Sequence, residues 1–264
     1  MSKIIAFVNQ KGGVGKTTTC VNVSSFMAEM GKKVLLVDLD PQGNASTGLG
    51  IEKNKETKTI YNVIDGECFA AEIVQKTCVK GLDIIPATVE LAGAEVELVQ
   101  MDGRESIVKG ILDELIDSYD VITIDCPPSL GLLTVNSLTA ANSVLIPFQC
   151  EFFPLEGLTQ LMNTIKLVKK HLNADLEIEG VVFTMKNSKS VLVNQVSNEI
   201  IKFFGKKVYD TYIPRNVRLA EAPSHGLPIN LYDPRSPGAK AYKQLTDEVL
   251  ARINTWEQEK KKEK

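Results

Sequence analysis

The residues best suited to chemistry stand near the start of the chain, in the run Lys11-Gly12-Gly13-Val14-Gly15-Lys16-Thr17-Thr18. Three glycines allow the backbone to curl so that successive N–H groups point inward, toward the oxygens of a phosphate group. Lys16 can bridge the β- and γ-phosphates of a nucleotide, and the Thr17 hydroxyl can ligate Mg²⁺. This run therefore predicts a nucleotide-binding loop.

The loop departs from the strict pattern GxxxxGK[ST], because Gln10 stands where that pattern has its first glycine. It carries an extra lysine instead, Lys11, near its start. Residues 3–8 form an apolar run typical of a buried strand, and residues 19–30 have the spacing of a helix with one apolar side. A strand before the loop and a helix after it are the context that phosphate binding needs, because the helix N-terminus adds partial positive charge.

Acidic residues end two further apolar runs. Residues 33–37 lead to Asp38 and Asp40, and the run 120–125 ends in Asp125. Carboxylates at the carboxyl end of parallel strands lie where open α/β sheets bind ligands. We therefore expect Asp125 to hold Mg²⁺ directly or through water. The pair before Pro41 could also be turn-forming aspartates, a reading that the nearby phosphate loop disfavours.

The run KGGVGKTT resembles the deviant Walker A motif of the ParA/MinD group of P-loop ATPases. Three more blocks are similar to the Soj type of the chromosome-partitioning ATPase family ParA. They are VLLVDLDPQGN (34–44), IDCPPSLGLLTVN (124–136) and IPRNVRLAEAPSHGLPI (213–229). The similarity extends from about residue 3 to residue 250.

The resemblance implies roles for individual residues. ATP would contact the residues Lys11, Gly12, Gly13, Val14, Gly15, Lys16, Thr17, Thr18, Pro214 and Asn216. Asp40 would position the attacking water with Asp38 as a supporting carboxylate, and Lys11 would reach the partner's ATP in a sandwich dimer. Thr17 and Asp125 would hold Mg²⁺. Residues 42–50 and 126–131 would be nucleotide-sensing segments, called below the first and second switch segments.

The resemblance also implies DNA binding without sequence preference, by the ATP-bound dimer, with Lys189 and Arg218 as contacts. A centromere-binding protein of the ParB type would stimulate slow hydrolysis. Residues 186–218 carry seven basic and two acidic residues in a chain of net charge −3, so the remainder carries −8. A local basic patch, rather than a basic protein, would have to contact phosphates. Lys189 stands where the family often has arginine, and a lysine lacks the bidentate fork.

The remaining pattern favours one domain over residues 1–258, followed by a charged, disordered tail at 259–264. Apolar runs alternate with helical spacing, which predicts a doubly wound α/β fold with a mostly parallel sheet and helices on both faces. The further predicted strands are 82–86, 143–148 and 179–185. The further predicted helices are 90–99, 106–116, 155–171, 191–204 and 238–256.

Three alternatives remain at this stage. A MinD-like, membrane-cycling ATPase would need an apolar face near the C-terminus, whereas the residues after Trp256 are only Glu, Gln and Lys. An iron–sulfur protein is disfavoured because the five cysteines form no CxxC pair, and Cys126 precedes two prolines in a context typical of a buried free thiol. A non-catalytic, nucleotide-dependent scaffold is the third. With no signal peptide or membrane span, we expect a cytoplasmic protein associated with the nucleoid.

Overall fold

The structure is a computed structural model that describes residues 2–54, 57–150, 154–186 and 190–262. Its sheet contains seven strands in the order β3-β4-β2-β5-β1-β6-β7. All neighbouring strands are parallel except the short β3, which pairs antiparallel with β4. The strands are β1 (Lys3–Phe7), β2 (Val34–Asp38), β3 (Gln75–Lys76), β4 (Leu82–Ile85), β5 (Val121–Asp125), β6 (Ser143–Gln149) and β7 (Glu177–Thr184).

Helices cover both faces of the sheet. They are α1 (Lys16–Glu29), α2 (Asn44–Gly48), α3 (Ile60–Ile64), α4 (Ala70–Ile73), α5 (Leu91–Glu97), α6 (Ile107–Asp113), α7 (Leu132–Ala140), α8 (Pro154–His171), α9 (Val191–Phe204), α10 (Val217–Glu221), α11 (Ile229–Tyr232) and α12 (Pro237–Lys262). Three short 3₁₀ helices lie at Leu98–Gln100, Gly205–Lys207 and Ala222–His225.

Two apolar cores lie on the two faces, and alternate residues of β1 enter each of them. Ile4 and Ala6 join the core formed with helices α3 to α9, whereas Ile5 and Phe7 join the core formed with α1 and α12. Strands buried on both faces read as continuous apolar runs, and this explains why β1, β2 and β5 were detectable in the sequence. The predicted doubly wound α/β fold is confirmed.

The structure adds the short helices α2, α3, α4, α10 and α11, for which no helix was predicted, and it differs from the prediction in three further elements. Helix α7 lies in a stretch, residues 132–142, for which the sequence predicted no element, because Thr, Val, Asn and Ser are poor helix formers and packing decides the outcome. The antiparallel β3 has only two residues. Helix α12 continues through Lys262, four residues into the segment predicted to be disordered, because Glu, Gln and Lys favour helix.

The sheet register brings the predicted acidic residues to one edge. Asp38 at the end of β2 is paired with Asp125 at the end of β5, and Phe7 of β1 lies across from the same aspartate. The loop after β1 therefore leaves the sheet beside both carboxylates. Within the described ranges, no helix combines the length and the apolarity that crossing a membrane requires.

Candidate nucleotide and magnesium site

The phosphate loop connects β1 to α1 and is shaped by its glycines. Gly13 and Gly15 have φ angles of 74° and 82°, in the left-handed region that side chains with a Cβ rarely adopt. Gly15 is also the N-cap residue of α1, so the helix begins directly at Lys16. Strand β7 supports the loop, because Thr184 at the end of that strand donates a hydrogen bond to the Val14 carbonyl (2.7 Å). The N-terminus of α1 thus faces the space that phosphates would fill.

Lys16 lies buried between two carboxylates. Its Nζ is 3.5 Å from Oδ1 of Asp125 and 3.9 Å from Oδ2 of Asp40. Burial lowers the pKa of Lys16, but the surrounding negative charge, that of Asp125 first, outweighs burial and raises its pKa. The lysine therefore stays charged, with contacts long enough to be exchanged for phosphate oxygens.

Asp125 offers a ligand atom that would suit Mg²⁺. Its Oδ2 is buried, and among the described residues it has no hydrogen-bond partner. Burial raises the pKa of Asp125, while Lys16 and a hydrogen bond from Thr17 act in the opposite direction. Unpaired buried acceptors are costly, so this oxygen is suited to a cation.

The rest of a magnesium shell would have to come from elsewhere. In the part of the chain that the structure describes, no three His, Cys, Asp or Glu side chains could enclose a metal ion together. Mg²⁺ commonly takes one or two protein ligands and fills its octahedron with phosphate oxygens and water. The predicted pair Thr17 and Asp125 fits that mode of binding.

The two aspartates after β2 make different contacts. Asp40 is buried and its Oδ1 accepts a hydrogen bond from the Gln42 amide (2.9 Å). Asp38 holds the first switch segment, because its Oδ2 accepts hydrogen bonds from both the amide and the hydroxyl of Ser46, each at 2.8 Å. Burial, together with the charge of Asp125, raises the pKa of Asp38 to about 7. Asp38 therefore links helix α2 to the charged cluster.

The phosphate loop forms one wall of a cavity of about 570 Å³. Residues 213–217, including the predicted adenine contacts Pro214 and Asn216, also line this cavity. Asn216 also caps α10, because its Oδ1 accepts a hydrogen bond from the Arg218 amide (2.8 Å). The predicted phosphate and adenine segments thus line one cavity, although 200 residues separate them in the chain.

Met185 and Tyr242 are among the lining residues that were not identified from the sequence. Met185 has a positive φ of 49°, and Tyr242 is a buried residue of α12. The Tyr242 hydroxyl lies 3.1 Å from Oγ1 of Thr19, which itself donates to the Gly15 carbonyl (2.6 Å). No local pattern marks either residue, since only the tertiary fold brings them to the loop.

The predicted dimer contact belongs to this cavity, and one of the two predicted DNA contacts lies among the described residues. Lys11 is exposed and lines the cavity. Arg218 is exposed on α10 and forms ion pairs with Glu221 (2.9 Å) and Asp233 (3.4 Å). Lys189 lies outside the described residues, so its contact with DNA stays a prediction. Cys126 is a buried free thiol, as predicted, and burial raises its pKa to about 12.

Comparisons with known proteins agree with this geometry. A family model described as an AAA domain matches residues 2–178. The chain is 58% identical over 251 residues to the sporulation initiation inhibitor protein Soj of Bacillus subtilis, covering 95% of this chain and 99% of that protein. It is 50% identical to the chromosome partitioning protein ParA of Caulobacter vibrioides, over 95% of this chain and 94% of the relative.

A solved structure shows the same architecture with a ligand. The cobyrinic acid a,c-diamide synthase from Mycobacterium smegmatis, with bound ATP analog and magnesium, is 36% identical to this chain. The two superpose with a TM-score of 0.83 over 95% of each chain. A protein of this fold therefore binds an adenine nucleotide together with magnesium.

Proposed function

This chain belongs to the ParA/Soj family of chromosome-partitioning ATPases and hydrolyses ATP, and we propose that hydrolysis switches it between a monomer and a DNA-binding dimer. The observation that carries the proposal is the cluster of Lys16, Asp40 and Asp125 beneath a phosphate loop. Asp40, which would position the water, and Asp125, which would bind magnesium, each have a carboxylate oxygen within 4 Å of Nζ of Lys16. These are the groups that phosphoryl transfer to water needs.

Each residue of the cluster has a part in hydrolysis. The loop amides and Lys16 hold the β- and γ-phosphates and stabilise the negative charge that develops on them. Asp40, fixed by the Gln42 amide, orients the attacking water. Thr17 and Asp125 would hold Mg²⁺, which supplies charge neutralisation when bound. Asp38 keeps the first switch segment in place through Ser46.

Completion of the site depends on a second subunit. Lys11 lies at the exposed part of the cavity, from which a side chain can extend toward a facing molecule. We propose that it contacts the phosphates of the partner's ATP, so that the nucleotide joins two subunits. Hydrolysis then weakens the dimer, and a ParB-type partner accelerates that step.

DNA binding would use the basic patch of residues 186–218, in which Arg218 is exposed. Its ion pairs with Glu221 and Asp233 are solvent-exposed, and exposed pairs contribute little, so phosphates can replace the carboxylates at small cost. A monomer of negative net charge binds DNA weakly, whereas a dimer places two patches on one duplex. We propose that the dimer reads phosphates and not bases.

The test is DNA binding in ATP and in ADP, measured by fluorescence anisotropy on two unrelated duplexes. With about 2–4 phosphate contacts per subunit, log K should fall against log[salt] with a slope of about −4 to −7. Arg218→Glu should abolish binding and leave ATP-dependent dimerisation intact, and Lys189→Glu should act in the same direction. Lys109→Glu is a matched control, because Lys109 is also exposed and paired with a carboxylate, but on α6.

Two results would contradict the proposal. Equal DNA affinity in ATP and ADP would separate DNA binding from the nucleotide. Full affinity in both charge reversals would place the DNA surface elsewhere on the molecule. Liposome sedimentation with ATP checks the membrane-cycling alternative, for which residues 257–262 offer only Glu, Gln and Lys.

A further inference from the structure

Asn9 lies between the end of β1 and the first lysine of the phosphate loop. The residue is buried, with 9% of its surface exposed. A buried asparagine needs a hydrogen-bond acceptor for its amide group and a donor for its oxygen. Asn9 has both, and the two partners belong to different segments of the chain. Its side chain therefore connects the sheet to the loop.

The amide group of Asn9 extends the hydrogen bonding of the sheet beyond β1. Backbone pairing with β6 reaches as far as the Val8 N–H, which donates to the Leu145 carbonyl (3.1 Å). In a parallel ladder the next donor would lie two residues on, at Gln10, and would reach Pro147. Nδ2 of Asn9 donates to the Pro147 carbonyl instead (2.6 Å). The backbone can therefore leave the sheet at residue 10 while this buried carbonyl stays paired.

The oxygen of Asn9 fixes the start of the loop. Oδ1 accepts a hydrogen bond from the Lys11 amide two residues on (2.9 Å), as in an Asx turn. Gln10, between the two, is held as well, because its Nε2 donates to Oε1 of Gln160 on α8 (2.7 Å). The backbone before Lys11 is thus attached to β6 through Asn9 and to α8 through Gln10.

On the carboxyl side of Lys11, two glycines separate it from the next attachment in the described part of the chain. Gly12 and Gly13 are exposed, and a Cβ added at either would meet no described atom within 4 Å. The next fixed point is the Val14 carbonyl, which accepts the hydrogen bond from Thr184. Because glycines restrict the backbone little, the direction in which Lys11 leaves the domain depends chiefly on the turn before it.

We propose that Asn9 is a positioning residue that aims Lys11 at the ATP of the partner subunit, an inference that rests on the shared site proposed above. Lys11 is exposed and lines the nucleotide cavity, and ordering a long side chain at an interface costs binding energy. A backbone fixed in advance by Asn9 lowers that cost. Asn9 does not line the cavity, so its loss should weaken the dimer and leave nucleotide binding to one subunit nearly unchanged.

The first measurement separates nucleotide binding from dimerisation in Asn9→Ala. The dissociation constant for a fluorescent ADP analogue should stay within about threefold of that of the parent. The dimer dissociation constant in a non-hydrolysable ATP analogue, from analytical ultracentrifugation, should rise about fivefold for each of the two loops, or about twenty-fivefold in all. Asn9→Ser should recover part of this loss, since a serine hydroxyl forms the same kind of turn more weakly.

Asn142→Ala is the matched control. Oδ1 of Asn142 also accepts a hydrogen bond from a backbone N–H, that of Ile4 (2.7 Å), but at the amino end of β1. Both alanine variants should melt below the parent, because each loses a hydrogen bond to the backbone of the sheet, but only Asn9→Ala should weaken the dimer. Equal weakening in the two alanine variants, none in Asn9→Ala, or no recovery in Asn9→Ser would overturn the positioning role.

A double-mutant cycle shows whether Asn9 acts through Lys11. A trace of fluorescently labelled parent is titrated with each variant in the ATP analogue, so every heterodimer keeps the lysine contact made by the parent subunit and stays measurable. Asn9→Ala should raise the dissociation constant about fivefold in this assay. In the background of Lys11→Ala, the same change should raise it less than about twofold, because the side chain to be positioned is gone.

Two results of the cycle would overturn different statements. A fivefold effect of Asn9→Ala that persists without Lys11 would show that Asn9 shapes the loop itself, and it would overturn the positioning role while leaving the shared site intact. A Lys11→Ala subunit that binds the parent as tightly as another parent subunit does would contradict the shared site, and the role of Asn9 would fall with it.

Discussion

Buried lysine–carboxylate clusters lie at both ends of strand β1, and they differ in how completely their polar atoms are paired. At the amino end, Lys3 is 3.1 Å from Oε2 of Glu179, which also accepts a hydrogen bond from Ser143 (2.6 Å), and Trp256 lies 4.5 Å from the lysine nitrogen. At the carboxyl end, the contacts of Lys16 are 3.5 and 3.9 Å.

The difference shows which buried charges are available for a ligand. Burial lowers the pKa of Lys3 and prevails over its one close carboxylate, whereas the excess of carboxylates raises the pKa of Lys16. Asp125 also keeps an unpaired buried oxygen among the described residues. The Lys3 cluster is closed and joins β1 to β7 and α12. The Lys16 cluster has spare negative charge, which a divalent cation would neutralise.

The largest effect should come from Lys16→Ala. Removing the charge that faces the phosphates should lower ATP turnover at least about a thousandfold, with loss of the ATP-dependent dimer. Phosphate release and light scattering in ATP are the measurements, and a circular dichroism spectrum like that of the parent is the control for folding. Normal turnover in this variant would remove the basis for distinguishing the two clusters.

Substitutions in the Lys3 cluster should change the stability of the fold rather than ATP turnover. Lys3→Met leaves Glu179 buried without its cation, and we expect a loss of about 3 kcal/mol in the free energy of unfolding. The double variant Lys3→Met with Glu179→Leu removes both charges and should recover most of that loss. Urea unfolding measures all three, and turnover per folded molecule should stay near that of the parent. Failure of the double variant to recover would mean that this pair is more than a closed structural contact.

The pH dependence of stability tests whether burial or the ion pair with Glu179 determines the pKa of Lys3. Because the pKa of Lys3 is lower in the folded state, the unfolded chain binds more protons in the window that ends near 10.5. Stability relative to the double variant should therefore rise as pH increases through that window. A fall over the same range would show that the ion pair, not burial, dominates at Lys3.

Asp40→Ala should have a smaller effect on turnover than Lys16→Ala. The loop and Lys16 would still bind ATP, but the attacking water would be poorly placed, so hydrolysis should fall about a hundredfold. The variant should accumulate as an ATP-bound dimer, visible by size-exclusion chromatography with light scattering. A protein that stays monomeric in ATP would show that Asp40 has a different role.

The two clusters also show what the sequence could reveal. Lys16 was predicted from the glycine-rich loop between a strand and a helix, and Asp38 and Asp125 were predicted because each stands at the end of a buried strand. The Lys3–Glu179 pair has no such pattern, since 176 residues separate its members. The contact of Ser46 with Ala87 has no local pattern either. Helix α7 was not predicted because packing overrides the poor helix propensity of its residues. Candidate site residues in local patterns could therefore be predicted from the sequence, whereas contacts set by tertiary packing could not.

We expect the smallest effect from Tyr242, the residue of α12 that contacts Thr19 beside the phosphate loop and the Lys16 cluster. Thr19 donates its hydroxyl proton to the Gly15 carbonyl, so its oxygen accepts from Tyr242, whose pKa burial raises so that it stays a donor. Tyr242→Phe keeps the ring and removes only that donor. One hydrogen bond contributes about 1 kcal/mol, so the dissociation constant for ATP should rise roughly fivefold.

Fluorescent-nucleotide titration measures it, with Tyr209→Phe as control, because the buried Tyr209 hydroxyl has no partner within the described ranges. Equal constants for Tyr242→Phe and the parent would show that α12 does not support the loop.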